Sequence, residues 1–532
     1  MLYKKGDSLD CDNYRGISVI DCIVKIYDYI LYNRLKRWFS PHREQAGGQE
    51  GRGCIEHITA LRWLIAICKK NRWKLYIGYI DLSKAYDRIN RKRLIEKLKR
   101  IGCGFIMLYA IASMYGITKS VLGIALVTAF VGVRQGSPTS CLLFNVFMND
   151  LITMIKARSP SDGFLRWLHL LMLMDDTVII ATSRARFIEK MSLLFEYCAE
   201  NDMLVNNLKT KFMVVNGDND DKIAIQIRGN IIDYVEEFYV YLGGIFTDCG
   251  DMNSVLEIHA REKMKHLNKL TIFLSTNKDY PFYVKRKVVT AAFNSAIMYG
   301  AESWIGANTK PVEIMYLSAI KQLLSVRTTT PNFTSLLECN LPPLNALLAQ
   351  KQYNFFKAAI EKRSDMVNED PFMFVWSLLK RFNTPLAQKV DAVLEFPDHV
   401  ERGITELKRR VSASDRTKSV LYSRLNPEFV THPVYCSRLL IPETYRISFT
   451  RLRLTSHNLR SETGRWSRLP AEMRLCPCGG IQDEEHIIMS CPKTHALRTA
   501  LSDPPIFPDI LHKNDIESFK YIHEVLNFDY NE

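Results

Sequence analysis

Leu170-Leu171-Met172-Leu173-Met174-Asp175-Asp176-Thr177-Val178-Ile179-Ile180-Ala181 sets two adjacent acids between two apolar runs. Short apolar runs of this kind read as buried strands, and the acids between them as the turn of a hairpin. Taken alone, such a pair is a solvated turn, because Asp is a favoured turn residue and two-residue loops join strands. A third acid changes the reading. Leu75-Tyr76-Ile77-Gly78-Tyr79-Ile80 is another short apolar strand, and it delivers Asp81 to its tip. Carboxylates crowded at a turn repel one another unless a positive charge sits between them. A pair of divalent cations roughly 3.5–4 Å apart would supply that charge, an arrangement suited to phosphoryl transfer.

The rest of the chain sets the bounds. A length of 532 residues is enough for about two to four domains, and no low-complexity tract or internal repeat interrupts it. The net charge of +14 is high for an enzyme of small metabolites and fits a polyanionic partner. Thirteen cysteines, an odd number without a disulfide framework, suit a reducing, intracellular setting. The N-terminus has no apolar signal region. The apolar run Val121 to Val133 is too short to span a bilayer and is broken by glycines, so no membrane segment is expected.

Helical spacing of apolar residues predicts helices over 20–38 and 55–69. Arg91 to Arg100 reads as a basic helix, and Val121 to Phe130 as a strand or hairpin arm. Ser137-Pro138 reads as an N-cap and first helical residue. Phe187, Met191, Leu194, Phe195 and Cys198 make one stripe of an amphipathic helix. Strands follow at Phe212 to Val215 and on either side of Gly229-Asn230. This order is a split β-α-β arrangement, with helices expected on one face of the sheet. A long helix over 254–274 carries Leu256, Ala260, Met264, Leu267 and Leu274 on one side. Arg261, Lys265 and Lys269 line another face, as a solvated surface or a nucleic-acid track. Beyond about residue 330 the pattern is mostly helical, with breaks at Asn340 to Pro343 and Asn383 to Pro385.

Five segments in order carry a family likeness. Asp81-Leu82-Ser83-Lys84-Ala85-Tyr86-Asp87 resembles the first catalytic motif of reverse transcriptases, and Val131-Gly132-Val133-Arg134-Gln135-Gly136-Ser137-Pro138 resembles the second. Leu173-Met174-Asp175-Asp176 resembles the aspartate-pair motif, Asn206 through Lys209-Thr210-Lys211 the next, and Tyr241-Leu242-Gly243 the hairpin at the palm–thumb junction. Asn13-Tyr14-Arg15-Gly16-Ile17-Ser18, Gln45-Ala46-Gly47 to Gly51-Arg52, and Met298-Tyr299-Gly300-Ala301-Glu302-Ser303-Trp304 look like finger and thumb signatures of non-LTR (LINE-type) retrotransposon reverse transcriptases.

The resemblance implies an α+β right-hand fold of fingers, palm and thumb. It implies two Mg²⁺ ions held by Asp81, the Leu82 carbonyl, Asp175 and Asp176, and a lysine, Lys209, that protonates pyrophosphate, with a solvated lysine before a strand as the alternative. Tyr86 would lie beneath the incoming sugar and reject a 2′-hydroxyl; a core aromatic is the plainer alternative. Gln135 and Gly136 would lie against the nucleotide, Arg15 and Arg52 would touch triphosphate or template, and Arg134 would meet template or brace structure. The chain departs from the family pattern at Leu173, where an aromatic is common, at Gln49, where arginine is common, and at Thr139 and Cys141. None of these removes a catalytic carboxylate.

Near the C-terminus, Cys476 and Cys478 are followed by His486 and Cys491. Three thiolates and an imidazole suit a closed tetrahedral Zn²⁺ site, with free buried cysteines as the alternative. His495 is a possible substitute ligand. The set resembles the Cys/His motif of LINE-type proteins.

The expected layout is partial fingers over 1–75, and palm over 76–248 with a further fingers segment at about 95–130. A helical thumb over 249–330, a helical connector over 331–465 and a zinc-motif region over 466–532 complete it. The implied activity is RNA-directed DNA synthesis on an RNA template from a DNA primer or target with dNTPs. Nuclear as well as cytoplasmic residence is implied, as is truncation ahead of the fingers, with no endonuclease domain preceding. A catalytically inactive or domesticated RNA-binding remnant is the alternative. An RNA-dependent RNA polymerase is disfavoured by Tyr86, and an intron maturase by the Cys/His set.

Overall fold

The computed structural model describes residues 2–530 except 5, 11–12, 123–124, 368 and 437–440, and leaves aside the side chains of 15, 122 and 125. The chain divides into two units. The first comprises Met1–Asp251 and Ala358–Val390, the second Met252–Lys357 and Asp391–Glu532. The stretch expected to be one connector over 331–465 is therefore shared between units.

The first unit is built on a six-stranded sheet. Its strands are β1 (Leu75–Ile80), β2 (Leu170–Leu173), β3 (Asp176–Ala181), β4 (Lys211–Val215), β5 (Ile225–Ile227) and β6 (Asn230–Tyr234), in spatial order β2-β3-β1-β4-β6-β5. All neighbours are antiparallel except β4 and β6. Helices α1 (Cys22–Trp38), α2 (Cys54–Asn71), α3 (Arg91–Arg100), α4 (Phe105–Tyr115), α5 (Ser140–Arg158) and α6 (Arg184–Glu200) accompany it. Period-two alternation sends Tyr76, Gly78 and Ile80 to one face, where α6 packs so closely that a Cβ on Gly78 would lie 2.7 Å from the Phe187 ring. The whole predicted stripe of α6 is buried.

The expectation of helices on one face only is corrected. Every residue of β1 is buried, so both faces are covered. The second face meets α2 and a hairpin of β7 (Tyr239–Tyr241) and β8 (Gly244–Phe246). Tyr79 stacks on Tyr239 with ring centres 4.2 Å apart, and Arg62 of α2 lies over Phe246. The helix Pro371–Arg381 then closes over α2, setting Phe372 and Trp376 about 5 Å from Trp63. Helix α5 is long and apolar enough to cross a membrane, but its apolar side chains, Phe144, Phe147 and Leu151 among them, lie in the core of this unit.

Other differences have local causes. Residues 118–129 form two arms, Thr118–Leu122 and Ala125–Ala129, rather than one. Helix α4 was not anticipated, being apolar on nearly every side without a clear stripe. Helix α5 starts after Thr139, not at Ser137. The Ser137 hydroxyl donates to the buried Asp28 carboxylate of α1, which also accepts from Thr139 Oγ1 at 2.6 Å.

The second unit is helical. Its first helix, α7 (Met252–Thr276), buries Leu256, Ala260, Leu267 and Leu270, while Met264, at the edge of that stripe, is exposed. The break at Asn340 in this unit, and that at Asn383 in the returning segment of the first, are present, each residue in the left-handed region (φ 50 and 46) where asparagine is tolerated. Glu338 is fully buried and holds Arg453, Tyr422 and Tyr435 through charge-assisted hydrogen bonds of 2.6–2.8 Å, which ties helices distant in sequence together.

Candidate active site

The register of the sheet brings the acids together. Ile80 pairs with Thr177, so the next step of the same register sets Asp81 beside Asp176, with Asp175 in the two-residue turn ahead of it. The loop before β4 grips the other edge of this tip. Asn206 N–H donates to the Asp81 carbonyl at 2.8 Å, Ser83 N–H to the Leu204 carbonyl at 2.8 Å, and Asp81 N–H to Thr210 Oγ1 at 3.2 Å. That pairing leaves the Leu82 carbonyl on the opposite edge, the side of the aspartate hairpin. Lys209 Nζ reaches Asp81 Oδ2 at 3.5 Å. Burial, reinforced by the Asp81 and Asp176 charges, pushes the Tyr239 phenol up to about 12. Tyr239 donates to the Lys209 carbonyl at 3.2 Å. Its hairpin turns at Leu242-Gly243 with both residues at positive φ (50 and 81), as the tightest hairpins require.

A cleft of about 1060 Å³ opens at these acids. Asp81, Leu82, Tyr86, Gln135, Gly136, Asp175 and Lys209 all line it. Tyr86 lies flat against Phe144, centroids 4.7 Å apart at 4°, with its hydroxyl 3.5 Å from Met174 Sδ. Gly136 has φ 111, and a Cβ there would lie 2.9 Å from the Ser18 carbonyl, so a side chain is excluded by strain and by contact. The lining includes two residues the sequence reading did not single out, Lys25 and Tyr29 of α1. They share a helix with Asp28, whose bond to Ser137 docks α1 on the Gln135–Pro138 loop.

Other predicted residues are elsewhere. Arg52 is buried, pairing with Glu56 at 3.4 Å and Asp370 at 3.1 Å, in a cluster completed by Arg363. It does not line the cleft. Glu56 is one helical turn away, but Asp370 and Arg363 are over 300 positions along the chain, and no local pattern announces them. Arg134 donates to the Met114 carbonyl at 2.6 Å and lies over Tyr115, which suits the bracing role. The Arg15 side chain is outside the described residues; its strand neighbour Tyr14 lines the cleft. Arg261, Lys265 and Lys269 are exposed on α7, in the second unit.

The segment Gln45-Ala46-Gly47 acquires a role that spacing did not disclose. Residue 45 bridges Met172 in parallel, and the Gln45 amide then clamps the aspartate turn. Its Oε1 accepts from Met174 N–H at 2.7 Å and from Gly47 N–H at 2.9 Å, while its Nε2 donates to the Met174 carbonyl at 3.2 Å. Met174 sits at φ 58, a conformation costing a non-glycine residue about 1–2 kcal/mol. The two hydrogen bonds to Met174 offset that cost and fix where Asp175 points, while the bond from Gly47 orients the Gln45 amide. Gly47 must lack a side chain, since a Cβ would lie 2.7 Å from Met174 N. Gln45→Met, close in shape without the amide, should lower kcat by about 10- to 100-fold through misplacement of Asp175. The KM for dNTP and the melting temperature should stay near wild type in the same steady-state and thermal measurements.

In the second unit, Cys476, Cys478, His486 and Cys491 place their ligand atoms within 4.8 Å of one another. Cys478 Sγ is 3.2 Å from His486 Nε2, and Cys491 Sγ is 3.8 Å from both other thiols. Burial pushes the Cys476 thiol up to about 12, whereas the Gly480 backbone N–H holds Cys478 below its usual range. A Cβ on Gly480 would meet the His486 ring at 2.8 Å. His486 Nδ1 has Ser490 Oγ at 3.3 Å, an outer partner for the ring. His495 is exposed and outside the cluster.

A sheet that brings three carboxylates together at its end, two of them lining an open cleft with a lysine from the neighbouring loop, defines a nucleotidyl-transfer centre of the polymerase kind. The chain belongs to the reverse transcriptase (RNA-dependent DNA polymerase) family, whose model matches residues 3–279. It is 25% identical over 192 residues to the Pol polyprotein of the type-1 retrotransposable element R2 of Nasonia vitripennis, covering 35% of this chain and 18% of that protein. It is 21% identical over 395 residues to the 115 kDa protein of the element R1DM of Drosophila melanogaster, covering 71% and 38%. The chain spans between 13% and 38% of the length of the curated relatives it matches. Among solved structures it is similar to telomerase from Candida albicans, with a TM-score of 0.32 and 13% identity over 70% of this chain and 56% of that one.

Proposed function

We propose that the chain extends a DNA 3′-end on an RNA template, with fingers and palm in the first unit and a thumb beginning at α7. The observation that carries this is the convergence of Asp81, Asp175 and Lys209 on the cleft, with Asp176 set beside Asp81 by the sheet register, in a chain of the reverse transcriptase family. Acidic oxygens from three adjacent backbone positions, with one lysine among them, are a hard donor set that suits Mg²⁺. Bound there, two such ions supply activation of the primer hydroxyl and neutralisation of the leaving pyrophosphate.

The chain's own groups do the rest. Asp81 and Asp175, with the Leu82 carbonyl, hold the ions, and Asp176 adds charge at the rim. Gln135 and Gly136 lie against the nucleotide, the bare Gly136 backbone allowing close approach. Lys209 offers a proton to pyrophosphate. The Tyr86 ring, fixed by Phe144, occupies the space a 2′-hydroxyl would need. Tyr86→Val should therefore raise ribonucleotide incorporation by about 10- to 100-fold relative to dNTP, read from competing extension with each triphosphate. Arg261, Lys265 and Lys269 of α7 would follow the template–primer backbone as a nucleic-acid track. The Cys/His set would hold one structural Zn²⁺, its mixed thiolate–imidazole chemistry and mutual closeness supporting that ion. Work on chromosomal DNA would require residence in the nucleus.

The test is extension of oligo(dT) on poly(rA) by the purified chain with dTTP and Mg²⁺, beside an Asp175→Asn/Asp176→Asn double variant. Incorporation confined to the wild type is the expected result. A chain that binds the duplex yet incorporates nothing would instead be an RNA-binding remnant.

A further inference from the structure

In the second unit, the end of the helix Lys310–Leu324 meets the end of the helix Glu443–Arg453. Ser325, left-handed at φ 58, presents its carbonyl to Arg451 Nε at 3.0 Å. Arg327 N–H donates to Ser456 Oγ at 3.0 Å, and Arg327 Nη2 to Asn458 Oδ1. These bonds lay the Arg327 guanidinium over the Trp466 ring, 4.2 Å from its centroid. Trp466 remains 56% exposed.

Charge at this place is unbalanced. Among the described residues, neither Arg327 nor Arg451 has a carboxylate within ion-pair distance, in a unit where Arg446, Arg453 and Arg465 each have one. Partial burial and the neighbouring Arg327 hold Arg451 below the usual arginine range, as expected for adjoining cations that share no counter-ion. Among the described residues, Arg460 and Arg468, exposed on the same stretch as Trp466, have none either. Unpaired guanidiniums call for an anion, and an exposed indole for a flat apolar partner. An acidic peptide would answer the first need and leave the ring bare. A duplex hides the faces of its bases. A single strand offers phosphates and free base faces together.

We propose that Arg327, Arg451 and Trp466 form a binding site for single-stranded nucleic acid, with a phosphate between the guanidiniums and a base on the indole. The site belongs to the second unit and stands whether or not the cleft polymerises.

The full chain would be irradiated with an oligouridylate carrying 5-iodouridine, and in parallel with its 2′-deoxy counterpart. A crosslink to the tryptic fragment 466–468 is expected. Trp466→Ala should lose it and weaken binding by about 5- to 100-fold. Arg451→Gln should lower the slope of log affinity against log salt by about 0.7, one phosphate contact on a single strand. Crosslinks mapping only elsewhere, or binding and slope unchanged in variants that melt like the wild type, would overturn the proposal. So would displacement of the crosslink by polyglutamate more readily than by oligouridylate, which would assign the patch to an acidic protein segment.

Discussion

Asp81→Asn should reduce primer extension by at least about 10³-fold, because each bound cation contributes several kcal/mol of charge stabilisation to phosphoryl transfer and 1.36 kcal/mol is tenfold in rate. Template–primer binding should persist and even tighten, since an amide removes a negative charge from a surface that faces phosphates. The two readouts are single-turnover dNTP incorporation and duplex affinity under identical salt. Asp81 is singled out because its backbone is gripped on one edge by Asn206 and Thr210, so the substitution changes the ligand without loosening its support. Equal losses of affinity and rate would mean that the fold, and not the ligand set, had been damaged. Incorporation at the wild-type rate would remove Asp81 from the chemistry altogether.

The second large effect is expected at the C-terminal cluster. The purified chain should carry about one zinc, and Cys491→Ser almost none, by elemental analysis. A structural zinc is worth about 10–16 kcal/mol in small peptides, against a total stability of about 5–15 kcal/mol for a typical domain. Its loss should therefore open the segment around 474–500 to protease while the sheet of the first unit stays intact. Cys491 is fully buried, so a metal-free chain would lose only packing on the change to serine. A wild type without zinc, and a variant with unchanged proteolysis, would return these cysteines to the core.

The strands and acids of the site were legible because each obeys a local rule: a short continuous apolar run, a turn at an acid pair, a motif at fixed spacing. The same holds for Tyr86, Gln135, Gly136 and Lys209, which line one cleft. What escaped depends on partners far along the chain. Arg52 looked like a nucleotide contact, and only the distant Asp370 and Arg363 explain its burial. Gln45 was visible as part of a motif, yet its clamp on Met174 follows from a strand bridge that crosses about 130 positions. Lys25 and Tyr29 reach the cleft because Asp28 docks α1, and nothing near residue 28 in the sequence foretells Ser137 as its partner. The second face of the sheet was missed for a related reason. Helix α2 is buried almost all round, so it shows no stripe to say which surface it covers.

The return of Ala358–Val390 to the first unit bears on how a ribosome can deliver this protein. Trp63 emerges early but must wait for Phe372 and Trp376, and Glu56 waits for Arg363. In the interval the nascent chain holds an uncovered aromatic face and a cluster of charges short of one arginine. Sheet pairing can begin as soon as Val215 has left the tunnel, yet the unit cannot close until translation has passed well into the helices of its neighbour. A fragment ended at residue 279, where the family match stops, would be released in that unfinished condition.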